Sequence, residues 1–206
     1  MEGYITVKHE ATAEYEDRKS LFLGFAAPVS SEGEALSFIE SIKRKYPDAN
    51  HHVYAYVCRE NSIMRFSDDR EPQGTAGMPV LDVIRKRAVT NVAIVVVRYF
   101  GGTLLGTGGL VRAYTAAAQE ALVNAEIVTY DIYNEIKLIS SYSDYQKLSG
   151  VFSKCNFTTT DERFAEEVEI TGKILKSTSG ELIDMLTQIS AGRIKFEIIS
   201  EKYDFL

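Results

Sequence analysis

Between Asp82 and Glu120 the chain carries no acidic residue, yet Arg85, Lys86, Arg87, Arg98 and Arg112 all fall inside that window. The window also contains Phe100-Gly101-Gly102-Thr103-Leu104-Leu105-Gly106-Thr107-Gly108-Gly109, set between a strand-like run and a helix-like run. A helix N-terminus exposes unpaired N–H groups and the positive end of the helix dipole, and glycines let an anion approach that backbone without meeting Cβ atoms. The residue types therefore suit a phosphate, held by Arg98 and Arg112, by the backbone of Gly101, Gly102, Gly106, Gly108 and Gly109, and by the Arg85–Arg87 triplet. Known phosphate fingerprints do not fit: Gly101 and Gly106 have P-loop spacing, but Thr107 stands where the lysine is needed, and no GxGxxG occurs. A tight strand-to-helix turn is the structural alternative for the glycines, and dipole complementation at a helix end is the alternative for Arg85, Lys86 and Arg87.

Upstream lies Ser67-Asp68-Asp69-Arg70-Glu71-Pro72-Gln73-Gly74-Thr75-Ala76-Gly77, with three carboxylates in four residues. Asp68, Asp69 and Glu71 could hold Mg²⁺, which takes oxygen ligands from one or two carboxylates plus phosphate. They could instead cap the helix that follows or pair with Arg98 and Arg112. The second role is favoured, because no remote acidic cluster completes a metal site. Thr75 could touch a phosphate or cap the same helix. His51 and His52 are adjacent, and on a strand they face opposite sides, so a histidine metal site is not expected. Tyr54, Tyr56 and Tyr99 suit base stacking or a half-buried sheet.

These residues must be positioned by a soluble α+β frame. The chain has 206 residues, 45% hydrophobic, with a net charge of −6, so nucleic acid would have to be met locally. Cys58 and Cys155 have neither disulfide-framework nor zinc spacing. Without a leader-like or membrane-length apolar run, the expected location is the cytoplasm. Strands are expected at 4–15, 21–27, 53–57 and 63–66. A helix capped by Ser30 or Ser31 should run to Lys45 with Leu36, Phe38, Ile39 and Ile42 inward. A second helix is expected over 76–88. Val92–Val97 reads as a strand covered on both faces, and a helix over 109–124 presents Leu110, Val111, Tyr114, Ala117, Ala118, Ala121 and Leu122 inward. From Asp131 the pattern becomes βαββαβ: strands at 132–139, 155–160, 164–174 and 193–200, helices at 142–151 and 180–190. That part has 9 Lys+Arg against 13 Asp+Glu, so it holds −4 of the −6. The expected domains are residues 1–130 and 131–206.

The stretch Ser67-Asp68-Asp69, Glu71-Pro72 and Gly74-Thr75-Ala76-Gly77 with Pro79 resembles the YigZ/IMPACT family. So do Val95-Val96-Val97-Arg98-Tyr99-Phe100-Gly101-Gly102, Leu105-Gly106 and Gly108-Gly109-Leu110-Val111-Arg112-Ala113-Tyr114. Arg70 departs from the pattern, standing where the family has glycine. The resemblance implies a first domain of ribosomal-protein-S5-domain-2-like fold and a second of ferredoxin-like fold, a pairing similar to the last two domains of elongation factor G. It also implies a theme of translation, since eukaryotic IMPACT proteins regulate it through a starvation-sensing kinase pathway. Two functions follow as expectations. One is a non-catalytic factor that docks RNA or ribosomal phosphates on the glycine run and its arginines. The alternative is a Mg²⁺-dependent enzyme acting on a nucleotide or other phosphorylated small molecule.

Overall fold

The computed structural model describes residues 3–205. Chain contacts separate two compact units among the described residues, Tyr4–Thr129 and 130–205 with Gly3. The first unit contains β1 (Tyr4–Val7), β2 (Ala11–Asp17), β3 (Ser20–Pro28), α1 (Glu32–Lys45), β4 (His51–Cys58), β5 (Ile63–Ser67), α2 (Gly77–Lys86), β6 (Val92–Tyr99) and α3 (Gly106–Asn124). Its sheet runs β2-β3-β6-β4-β5, with every neighbour antiparallel.

The central strand β6 explains the layering. Val92, Ile94 and Val96 enter the core beneath α2 and α3, while Ala93, Val95 and Val97 enter the core beneath α1. Alternate side chains face opposite sides of a strand, so a run of apolar residues serves both cores. Each fully buried Val or Ile side chain contributes about 1.5–3 kcal/mol. On the far face, α1 begins at Ser31, whose Oγ accepts the Glu34 N–H at 3.3 Å. Ala35, Ile39 and Ile42 are buried, whereas Leu36, expected inward, is largely exposed. On the near face the small residues of α3 allow close approach: Gly24 of β3 lies so near the Ala117 carbonyl that a Cβ there would collide with it. Val111, also expected inward, lies on the exposed side of α3.

The second unit is built on β7 (Ile127–Ser140), whose first residues belong to the first unit. It continues with α4 (Tyr142–Tyr145), α5 (Leu148–Cys155), β8 (Thr158–Phe164), β9 (Val168–Leu175), α6 (Ser179–Ser190) and β10 (Lys195–Asp204). Pairings give the antiparallel order β10-β7-β9-β8, the arrangement of a ferredoxin-like βαββαβ sheet. The strand expected from Cys155 begins later, because Cys155 ends α5 and Asn156 closes that helix in the left-handed region at φ +53°. Cys58 and Cys155 are buried free thiols in different units. No helix among the described residues is long and apolar enough to cross a membrane.

Candidate functional site

Strand parity places Arg98. It follows Val92, Ile94 and Val96 on the α2/α3 side of β6, at the end where that core opens. Only 5% of Arg98 is exposed. Its Nη1 donates to Glu71 Oε1 at 2.6 Å, and Tyr114 Oη donates to the same oxygen at 2.7 Å. Both partners are buried as well. Burial, followed by the adjacent Glu71 carboxylate, holds the Tyr114 phenol far above its usual range, so it remains a donor. The Arg98 guanidinium lies 5.4 Å from the Phe22 ring centroid and 5.6 Å from that of Phe100. Its Nε is buried with no hydrogen-bond partner.

Above this group lies a cavity of about 490 Å³. Glu71, Arg98 and His51 form its polar part; Phe100, Leu104, Leu105 and Leu110 form an apolar wall; Gly106 and Thr107 edge it with the start of α3. His51 sits opposite Arg98 on β4. Its Nδ1 is 2.8 Å from the Asp69 carbonyl oxygen and must donate there, which leaves Nε2 3.7 Å from Glu71 Oε1. His52 faces the other side, with Nε2 2.8 Å from the Tyr46 carbonyl oxygen.

The glycine run is not all loop. Three residues earlier than expected, α3 begins at Gly106, so Gly106, Thr107 and Gly108 form its first turn. No side chain caps that turn and no acidic residue lies in it, leaving its N–H groups for a ligand or solvent. Gly101 packs so tightly on the Lys19–Ser20 backbone that any Cβ would clash. Gly102 and Gly106 have φ of +82° and +70° with open space around them, conformations that favour glycine. Gly109 is buried against Leu105.

Not every expected site residue gathers here. Arg112 is exposed one turn into α3, and a Cβ at Gly108 would lie 3.8 Å from its Nη1. Arg85, Lys86 and Arg87 end α2 just before β6 starts, whereas Arg98 is near the end of that strand. Eight strand residues span about 23 Å, and none of the three lines the cavity. Thr75 is buried, with Oγ1 donating to the Pro72 carbonyl at 2.6 Å. Two cations come into play instead: Arg18, whose Nη1 reaches the Leu104 carbonyl at 3.5 Å, and Arg70, whose Nη2 reaches that of Asn50 at 3.4 Å. Leu104 and Asn50 both line the cavity. The sequence signal for Arg18 and His51 is faint, since neither lies in the acid-free window.

Nor do the carboxylates of Asp68, Asp69 and Glu71 converge on a cation. Asp68 accepts the N–H groups of Gly74, Ala76 and Gly77 at 2.7–3.1 Å, capping α2 from a distance. Asp69 accepts the His52 N–H at 2.6 Å. Glu71 serves Arg98 and Tyr114. Among the described residues no group of three or more His, Cys, Asp or Glu is placed to hold a metal ion, so the donor set does not fit the Mg²⁺ alternative, whereas Asp68 and Glu71 take the capping and pairing roles favoured from the sequence.

Fold and site together define a two-unit α+β protein whose first unit carries a cavity at the uncapped start of a helix. The model of the Impact N-terminal domain matches residues 18–122, and that of a domain of unknown function, DUF1949, matches residues 138–193. The chain belongs to the IMPACT family. It is 33% identical over 194 residues to the IMPACT family member YvyE of Bacillus subtilis, covering 94% of this chain and 89% of that protein. It is 30% identical over 204 residues to the IMPACT family member YigZ of Escherichia coli, covering 98% and 100%. A solved structure described as a hypothetical protein superposes with a TM-score of 0.61 at 30% identity, covering 98% of this chain and all of that one.

Proposed function

We propose that this protein is a non-catalytic RNA-binding factor acting in translation, which anchors a phosphate on the first turn of α3. The observation that carries this reading is that turn: a 19-residue helix opens beside the cavity, and its first turn has neither a capping side chain nor an acidic residue. Its dipole favours an anion there by about 0.3–1 kcal/mol at an exposed site and up to about 2 kcal/mol when partly buried. Exposed Arg18, Arg70 and Arg112 supply charge around it. The ribosome-linked theme rests on the family resemblance. A Mg²⁺-dependent enzyme has no comparable support, because the three acidic side chains are committed to separate partners.

The test is fluorescence anisotropy of a labelled single-stranded RNA across a salt series. Three phosphate contacts give a slope of log affinity against log salt of about −2. Thr107→Glu sets a carboxylate in the first turn and should weaken binding several-fold while leaving the melting temperature near that of the parent protein. RNA binding that ignores both salt and Thr107→Glu would overturn the reading.

A further inference from the structure

The cavity has more to it than an anion needs. A phosphate held by N–H groups and arginines would require only a polar rim, yet here the rim continues into an apolar wall. Leu104 is 81% exposed and Phe100 is 46% exposed, so two large apolar side chains are held at the surface beside the anion-favouring turn. Isolated exposed apolar residues are ordinary, but a concave wall with a few convergent polar groups is the form of a small-molecule site. The volume of about 490 Å³ lies within the range of such sites.

We propose that the cavity is a socket for a single unpaired nucleotide: its phosphate lies on the Gly106–Gly108 turn and its base on the face of Phe100. The polar floor supports this division. Arg98 lines the cavity, is nine-tenths buried or more, and has an Nε without a partner. His51 donates from Nδ1 to the Asp69 carbonyl, so in the neutral ring Nε2 is an acceptor. Asn50 accepts the Phe100 N–H on Oδ1 at 2.7 Å, which assigns its Nδ2 as a donor. With His51 neutral, its Nε2 acceptor, the Asn50 donor and the Arg98 guanidinium thus line the cavity beside an aromatic ring, the combination that reads a base edge or a ribose hydroxyl on a splayed-out nucleotide. A base paired within a duplex cannot enter.

That the nucleotide belongs to an RNA strand rests on the function proposed above; a free 5′-mononucleotide presents the same chemistry. The experiment separates the two. Anisotropy is measured for a labelled single-stranded RNA and for its duplex, with 5′-mononucleotides and inorganic phosphate as competitors, on the parent protein and on Phe100→Ala and Thr107→Glu. Single-stranded RNA should bind at least tenfold more tightly than duplex. Phe100→Ala should weaken it between about fivefold and a hundredfold with the salt slope unchanged, and mononucleotides should compete better than phosphate alone. The Phe100 ring is half-exposed, so its removal should leave the fold intact, and a thermal melt checks this directly. If RNA binds and responds to Thr107→Glu but not to Phe100→Ala, and duplex binds equally well, the socket is overturned while RNA binding stands. If mononucleotides bind but RNA does not, the socket stands and the RNA function falls. If neither binds, both fall.

Discussion

Among the described residues each unit buries one carboxylate, Glu71 in the first and Asp144 in the second, among cations and hydroxyls, and the two are satisfied in different ways. In the second unit Asp144 accepts two hydrogen bonds from Arg193, at 2.9 and 3.1 Å, and one from Lys147 at 3.0 Å. The side chains of Arg193 and Lys147 remain 61% and 52% exposed, so their charges stay hydrated while Asp144 ties α4 to the start of β10. In the first unit Glu71, Arg98 and Tyr114 are all buried, and Arg98 keeps an unpaired Nε beside a cavity. The backbones differ too: Asp69 and Arg70, just before Glu71, have φ of +39° and +69°, whereas Ser141 caps α4 from an ordinary extended conformation. The Asp144 carboxylate is saturated, although Ala191 and Gly192, just before Arg193, also have positive φ, +49° and +79°. An open site carries an unmet polar group and a strained turn, the features that accompany binding.

The largest expected effect breaks the pair in the first unit. Glu71→Ala leaves the Arg98 charge buried with nothing opposite it, and breaking such a pair costs about 3–5 kcal/mol. Asp144→Ala leaves cations that already reach water and should cost clearly less. Urea unfolding of both variants checks the ranking; equal losses would remove the distinction between open and closed sites. Next in size is Tyr114→Phe, which removes a hydrogen bond to a charged group worth about 1.5–3 kcal/mol. Because the folded Tyr114 phenol is held above its unfolded value, its contribution is full below about pH 10 and is lost as pH rises further. The parent protein should therefore lose its advantage over Tyr114→Phe in alkali, which unfolding midpoints at pH 7 and above pH 10 will show.

Asp144 titrates in the opposite direction. Hydrogen bonds from Arg193, then Lys147, hold its carboxyl well below the usual carboxylate range. Its contribution is present above the unfolded value near 3.9 and is lost as pH falls toward the folded one. Asp144→Asn should flatten the acid limb of the stability curve while leaving the alkaline limb unchanged. An unaltered acid limb would mean that other lowered carboxylates, such as Asp204 beside Lys173, dominate it.

Much of the frame was legible in the chain because it is local. Val92–Val97 is apolar at every position, which only a doubly covered strand requires, and Ser31 announces the start of α1. The alternation of βαββαβ in the second half needed no long-range information. The site was less legible because its chemistry is assembled across strands. Arg98 reads from the sequence as a phosphate ligand or as a partner of the Asp68–Glu71 carboxylates, but only its parity with Ile94 and Val96, which turns it under α3, selects Glu71, 27 residues away. His51 joins the cavity only through the β4–β6 register, which no single segment reveals. Gly106–Gly108 reads as loop because glycine is a poor helix former, although it opens α3. Arg85–Arg87 belongs to the same acid-free stretch, yet the length of β6 separates it from Arg98.

The smallest effect concerns Arg70, where the family pattern has glycine. At φ +69° a non-glycine residue costs about 1–2 kcal/mol, against about 0.5–1 kcal/mol of extra chain entropy that glycine would lose on folding. Arg70→Gly should therefore stabilise the protein by roughly 0.5–1 kcal/mol, measured as a higher urea midpoint at unchanged slope. The same substitution removes an exposed cation that contacts Asn50 of the cavity lining, so the salt slope of RNA binding should shrink by about 0.7, the share of one phosphate on a single strand. The two readouts move in opposite senses only if this chain keeps a strained turn for the charge it carries. A more stable variant with an unchanged salt slope would make Arg70 a tolerated defect. A less stable variant would show that the turn is relaxed with arginine in place, and would erase the backbone half of the contrast with Asp144.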